Sequence, residues 1–456
     1  MYLNAGPIWM KFKDGELRYL HAGGKEIVRR LYFGVRDSRW DTVMPRFHNV
    51  KVSRKPDSFH ITFNAICKND IADYQWHGEI TGTPDGRITY SVTGKPVADF
   101  ATPRVGLNVL YPAQSLIAQP YEVINKAGTV ASHVFPAGIS RDLLSPDFLT
   151  LRYVTPDGMR FNATLTEGTM GMEDQRNFGD SSHKAFGSLP YTYPNIKKDD
   201  SRTQALIIDV SNAPAAQPLP QTISVLVSDQ PINAAVPHFI TTDKLPAKTF
   251  TTIQGKISPD TKDVTWSFNP ALHMPDDDTF MENLTALVDQ ANTARSFSPD
   301  AKLHIDSIGF DSPYPRPHSD PRNNTTFAAA WLTIAAKYLS IAAVDDAAFN
   351  IPAPYASLAL SLLNPYAGKP LLQTDISSPL PNLIDAWAVQ DATAPAVFLI
   401  NKTRRRQTVA LKIKSAPTSY TLSRIQPNAN ITEEPIPPKD GCITVTLDPL
   451  ETCRLK

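Results

Sequence analysis

The sequence predicts a multidomain β plus α/β protein, and three observations carry that prediction. Short β-rich runs with turn signals between them recur from the N-terminus to about Val227. Strand-like and helix-like patterns then alternate between about Pro231 and Trp387, which is the order of a parallel α/β unit. Strand patterns return alone after about Ala394. A chain of 456 residues exceeds what one hydrophobic core usually supports, so these changes of pattern are read as domain boundaries. They divide the chain into a large N-terminal β-sandwich at 1–228, an α/β segment at 229–390 and a small C-terminal β-domain at 391–456.

In the first segment IWMKF, DGELRYL, IVRRLYFGV, HITFNAIC, FLTLRYV, MRFNATL and ALIIDV alternate or run apolar over strand lengths. The Pro-Asp-Gly turns at 84–86 and 156–158 are hairpin chemistry. Regular short strands joined in this way make a sandwich. In the second segment the strand-like VTWSFN is followed by a helical pattern from Asp277 to Ala294, with Phe280, Leu284, Leu287 and Val288 at helical spacing. Asp276 to Asp278 stand where carboxylates satisfy the free amides of a helix start. LHIDSIGF reads as a strand, Asn324 to Leu339 as a helix, and LSIAAV as a third strand. In the last segment AVFLIN, QTVALKIK, SYTLSRI, CITVTL and CRLK are strands, with Lys402 and Arg404 to Arg406 on a solvated turn.

Composition narrows the function. Lys plus Arg and Asp plus Glu both number 45, so no net field gathers nucleic acid or an anionic membrane surface. The N-terminus lacks a basic segment leading into a long apolar run, and Lys337 interrupts the most apolar stretch, so a cytoplasmic protein without a membrane span is expected. Three scattered cysteines, Cys67, Cys442 and Cys453, make neither a disulfide framework nor a zinc site. The dinucleotide fingerprint, the phosphate loop, the zinc-protease helix and the serine-hydrolase elbow are all absent from the sequence, and no metal or other cofactor is expected.

The densest polar cluster is GMEDQRNFGDSSHK, with Glu173, Asp174, Arg176, Asn177, Asp180 and Lys184 inside a β-rich segment. On composition a solvated loop is the favoured account, and an internal network of charge-assisted bonds reaching a ligand is the alternative. The run from Met172 to Asn177, with Asp180, Ser182 and Lys184, resembles the hallmark of the D-apionate lactonase family and departs from it at Phe178 and Gly179. GELRYL, VRRLYFGVRDSRWDTVMPRF and QWHGEITG to PRVGLNVLYP extend the resemblance over nearly the whole sandwich. It resumes in NPALHMPDDDTFMENL and DPRNNTTFAAAWLTIAAKYL, which are similar to late strands of the family's (β/α) barrel.

The resemblance implies hydrolysis of a sugar-acid lactone, a small-molecule partner, no redox cofactor, and catalytic groups at the C-terminal ends of barrel strands. On that basis the catalytic candidates are His273, Asp306 and Asp345 or Asp346, the last pair standing where the family places a Glu. Glu173, Asp174, Arg176, Asn177, Asp180 and Lys184 are the substrate-binding candidates. Trp331 and Tyr338 are read as core. A complete barrel needs about 250 residues, whereas Pro231 to Trp387 spans roughly 160, so the segment is a truncated (β/α) barrel remnant lacking about its first five units. Such a remnant is expected to expose an apolar sheet face that the rest of the chain, or a second copy in a homodimer, must cover. The sequence therefore leaves two functions open, a lactonase with reduced turnover and a non-catalytic carbohydrate-binding or assembly relative. A glycoside hydrolase is a weaker third, because the sparse acids define no carboxylate pair across a cleft.

Overall fold

A computed structural model describes residues 1–246, 250–271, 274–311, 319–378, 380, 382–414 and 419–456. They form two compact units, one of residues Met1–Gln175 and Ser182–Pro218, the other of Arg176–Ser181 and Leu219–Lys456.

The first unit is a sandwich of two antiparallel sheets. An eight-stranded sheet runs in the order Tyr2–Ala5, Ile8–Lys13, Glu16–Ala22, β1 (Lys25–Val35), β2 (Val105–Pro112), β4 (Ser182–Ser188), β3 (Thr169–Asp174) and Ser145–Phe148. The second sheet has nine strands, with Arg202–Ser211 and Arg87–Pro96 among those at its centre. Period-two alternation decides which side chains face inward. In Phe59–Lys68 every second residue from Phe59 is buried. Phe33 of β1 meets Trp76 of the opposite sheet with ring centroids 4.9 Å apart, and Tyr111 of β2 meets Phe161 at 6.0 Å. Both Pro-Asp-Gly turns form as read: Thr83 N–H bonds Arg87 O at 2.9 Å and Thr155 N–H bonds Met159 O at 2.9 Å. Gly86 has φ +87°, and a Cβ there would lie 2.8 Å from the Val210 carbonyl oxygen, so only glycine fits.

The second unit contains a parallel sheet of four strands, β5 (His238–Thr241), β6 (Asp263–Phe268), β7 (Lys302–Ile308) and β8 (Asp346–Phe349). Their spatial order is β5-β8-β7-β6. The first strand in the chain thus pairs with the last, as it does in a closed (β/α) barrel, but four strands leave the sheet open where eight would close it. Between them run α1 (Asp277–Glu282), α2 (Ala286–Phe297) and α3 (Thr326–Ile341), and α4 (Tyr355–Leu363) follows β8. Asp276 caps α1, its carboxylate accepting from the Asp278 and Thr279 amides, and a 3-10 turn at Asn283–Thr285 joins α1 to α2.

Three expectations change here. LSIAAV belongs largely to α3 and its end, where Leu339, Ser340 and Ala342 are buried, and the strand is the following DAAF. A strand exists before the matched barrel stretches: HFIT forms β5, although Pro237 and Pro246 bracket it and it is only four residues long. The open face of the sheet is not apolar. It carries His238, Asp263, Thr265 and Asp346, all exposed, with His304 and Asp306 half-buried and Ile240 alone among aliphatic side chains on β5 to β7 there. Phe239, Trp266, Leu303, Ile305 and Phe349 face the other way and are buried. Trp266 Nε1–H donates to Gln290 Oε1 of α2 at 2.9 Å, which ties that buried face to its helix layer.

A nine-stranded sheet completes the unit. In it Thr222–Ala235 lies between Pro370–Ser377 and Gln407–Ile413, pairing antiparallel with the former and parallel with the latter. Strands from near 222 and from 370–389 therefore share one sheet with those after Ala396. Lys337 of α3 reaches Asp385 in it at 2.5 Å; burial works to lower the lysine pKa, but the carboxylate overcomes this and raises it. No helix among the described residues is long and apolar enough to cross a membrane.

Candidate functional site

In parallel α/β sheets, loops at the strand C-termini build the site. In this chain those loops border an open cavity of about 680 Å³ lined by Thr241, Thr242, Asp243, Asp311, Asn350 and Ser357 among others. Asn350 follows β8 directly; its N–H bonds Ile308 O at 2.7 Å, and its side-chain amide reaches Thr242 O at 3.4 Å. That approach needs Gly309, where a Cβ would sit 2.7 Å from the Asn350 carbonyl oxygen. Asp311 is fixed through Oδ1, which accepts from the Asp320 amide at 2.8 Å and from Asn323 Nδ2 at 2.6 Å.

Asp306 points from β7 on the open face of the sheet. It accepts from Ser267 Oγ at 2.7 Å and pairs with Lys244 Nζ. It is near the strand C-terminus, but it does not line the cavity. His273 lies outside the described residues. Asp345 and Asp346 stand at the opposite end from the cavity, a placement that corrects the expectation that they follow the last strand. Asp346 begins it and Asp345 immediately precedes it: Asp345 accepts from the Leu303 amide at 2.8 Å, and Asp346 pairs with His304 Nδ1 at 2.8 Å. Asn350 occupies the position after β8. Among the described residues no group of three His, Cys, Asp or Glu side chains is placed to hold a metal ion.

His304 bridges two strands, with Asp263 Oδ1 3.3 Å from its Nε2. Burial acts to lower its pKa, but the hydrogen bonds to Asp346 and Asp263 outweigh it and raise the pKa above 6.5. A raised folded pKa stabilises the protein fully below the unfolded value, and that stability is lost as pH rises through the folded pKa. Both carboxylates are more than half exposed, so the contribution is below about 1 kcal/mol. Denaturant midpoints measured from pH 5.5 to 8.5 should fall slightly with pH, and His304→Gln should remove that part of the fall. A slope unchanged by the substitution would show that the pairs contribute nothing.

The polar cluster divides. Arg176 is fully buried in the second unit, its Nη1 3.6 Å from Asp289 Oδ1, while its carbonyl accepts from Gln290 at 3.3 Å. Asn177 Oδ1 accepts from Thr251 Oγ1 at 2.9 Å and Asp180 Oδ1 from Asn283 Nδ2 at 2.8 Å. These three form an internal network rather than a solvated loop. Asp174 faces the sandwich interior and accepts from the Ser140 amide at 3.0 Å. Glu173 and Lys184 are register partners on β3 and β4, facing away from the sandwich core.

Comparison with known proteins now decides the family. The model of the D-apionate lactonase N-terminal domain matches residues 1–213, and that of the D-apionate lactonase TIM barrel domain matches 248–359.

The chain belongs to the D-apionate lactonase family.

A D-apionate lactonase of Brucella anthropi is 26% identical over 215 residues, 46% of this chain and 35% of that relative, so the matched stretch spans about a third of the relative's length. The barrel match of 112 residues (248 to 359) is under half of the roughly 250 of a complete barrel, in keeping with four strands rather than eight. Among solved structures a beta-arabinopyranosidase is 8% identical over the whole of both chains with a TM-score of 0.32. CelM2, a bifunctional glucanase-xylanase from a metagenome library, is 10% identical over 42% of this chain and 43% of its own, with a TM-score of 0.35. Both likenesses are too weak to bear on the fold.

Proposed function

We propose that this chain hydrolyses a sugar-acid lactone, D-apionolactone to D-apionate, in cytoplasmic carbohydrate catabolism, as a monomer or homodimer. The observation that carries the proposal is a polar cavity holding Asp243 and Asp311 at the C-terminal ends of the parallel strands of a lactonase-family chain. In the reaction a carboxylate takes a proton from water as the oxygen adds to the lactone carbonyl. The ring C–O bond then breaks, and its oxygen takes a proton to leave a hydroxyl beside the new carboxylate. Asp311, lining the cavity and oriented through one oxygen, is the proposed base. His273 is the proposed acid for the leaving oxygen, and Asp306 with Lys244 supplies charge near the strand ends. Half of a barrel wall excludes water and orients substrate less well than a whole one, so turnover should be low.

Proton release from D-apionolactone, followed with a pH indicator, tests these roles. Asp311→Asn and His273→Ala should each lower the rate about a hundredfold or more, as expected for loss of a general base or acid. Rates unchanged in both variants would remove the assignment. The open four-stranded sheet favours one rival, a relative that binds carbohydrate without turning it over; saturable sugar-acid binding with no lactone opening would establish it.

A further inference from the structure

The outer face of the eight-stranded sheet brings together cations that the sequence scatters. Arg30 and Tyr32 of β1 lie beside Leu110 and Asn108 of β2, which in turn pair with Lys184 and Phe186 of β4. Arg36 follows β1 and Arg104 precedes β2. Arg30 is neutralised, since its Nε donates to Glu16 Oε2 at 2.8 Å and its guanidinium covers the Tyr32 ring at 4.2 Å. The rest are not balanced. Lys184 is 4% exposed and Tyr32 8% exposed, yet neither the ammonium nor the phenol hydroxyl makes a hydrogen bond or ion pair among the described residues. Arg104 stacks on Phe186 at 3.4 Å and makes no side-chain hydrogen bond there either. Arg36 donates to the Trp40 carbonyl at 2.9 Å. Glu16 is taken up by Arg18 and Arg30, and Glu173, directly across from Lys184, forms no ion pair with it among the described residues.

A buried ammonium without a partner is costly, and three cations against one carboxylate leave an excess of about two positive charges. The electrostatics agree with the geometry. Burial, with Arg36 and Arg104 close by, pushes the Lys184 ammonium down from its usual range. Burial alone would push the Tyr32 phenol up, but Lys184, Arg30 and Arg36 together bring it down.

We infer that Tyr32, Arg36, Arg104, Glu173 and Lys184 form a carboxylate-binding basin on the sandwich, which takes the anion of a small polyhydroxy acid. Arg104 and Lys184 hold the carboxylate, Tyr32 donates its hydroxyl, and Glu173 accepts from ligand hydroxyls. The identity of the acid as D-apionate rests on the lactonase reading; the need for an anion does not.

Isothermal titration of the full chain tests this with sodium D-apionate, sodium acetate, sodium phosphate and the neutral polyol xylitol. D-Apionate should bind saturably, acetate more weakly and xylitol not at all. Arg104→Gln and Lys184→Met should each weaken D-apionate binding about tenfold or more, as loss of a charge-assisted bond implies. Without ligand, Lys184→Met should also keep or raise the melting temperature, since it removes a buried unpaired charge. No carboxylate binding at tens of millimolar (roughly the weak limit for a specific site), a response to phosphate alone, or binding undiminished in both variants would overturn the basin. D-Apionate binding that persists where lactone opening is absent leaves the basin standing and overturns only the hydrolase. Lactone opening without D-apionate binding overturns only the basin.

Discussion

Replacing Arg176 with alanine should destabilise the protein by about 3–5 kcal/mol, the usual result of removing one partner of a buried ion pair. Arg176 has no exposed surface and Asp289 only 3%, so the carboxylate left behind cannot recover its lost interaction from water. The residues beside Arg176 add to the effect. Phe250 N–H donates to Asn177 O at 2.9 Å and Ser181 N–H to Asn283 Oδ1 at 3.0 Å, so the whole 176–181 segment is bonded into the second unit. At about 2–4 °C per kcal/mol for a unit of this size, the melting temperature should fall by roughly 6–20 °C. Calorimetry of Arg176→Ala, Asp289→Leu and the double variant checks this. The double variant should lose less than the sum of the two, because it removes both members of the pair. A melting temperature within a degree of the parent, together with weakened sugar-acid binding, would make Arg176 a ligand contact instead.

Trp331→Ala should cost a similar amount, about 3–5 kcal/mol, by opening a cavity in the helix layer of the second unit. The indole is fully buried, its ring edge-on to Phe310 at 5.0 Å and 82°, and its Nε1–H donates to the Phe280 carbonyl at 2.9 Å. Trp331→Phe keeps most of the apolar area but strands that carbonyl, so about 1–2 kcal/mol should be lost. Denaturant unfolding of the two variants gives the comparison. Unchanged stability with impaired ligand binding would mean that Trp331 is a substrate platform.

The sandwich is legible in the sequence because antiparallel strands with one buried face alternate strictly, and because each Pro-Asp-Gly turn fixes its hairpin locally. The α/β segment is legible from helical spacing after Asp277. β5 is not, since a strand of four residues shows no period. LSIAAV misleads because a short apolar run has no period of its own to separate a helix end from a strand. That shift carries Asp345 and Asp346 to the wrong end of β8, and Asn350 takes the position they were expected to hold. The Glu173–Lys184 cluster is visible as a density of polar residues, but composition cannot distinguish water from Asp289 or Asn283 as the partner. Tyr32, Arg36 and Arg104 carry no local signal at all, since only the pairing of β1 with β2, and of β2 with β4, brings them to Lys184.

The central claim, lactone chemistry on half a barrel, is tested most directly by the initial rate of D-apionolactone opening by the unmodified full chain. Spontaneous opening and an aryl β-glycoside panel serve as references. Opening should run about a hundredfold or more above the spontaneous rate, a barrier lowered by roughly 3 kcal/mol, with no cleavage of the glycosides. Opening at the spontaneous rate, or glycoside cleavage in its place, would contradict it.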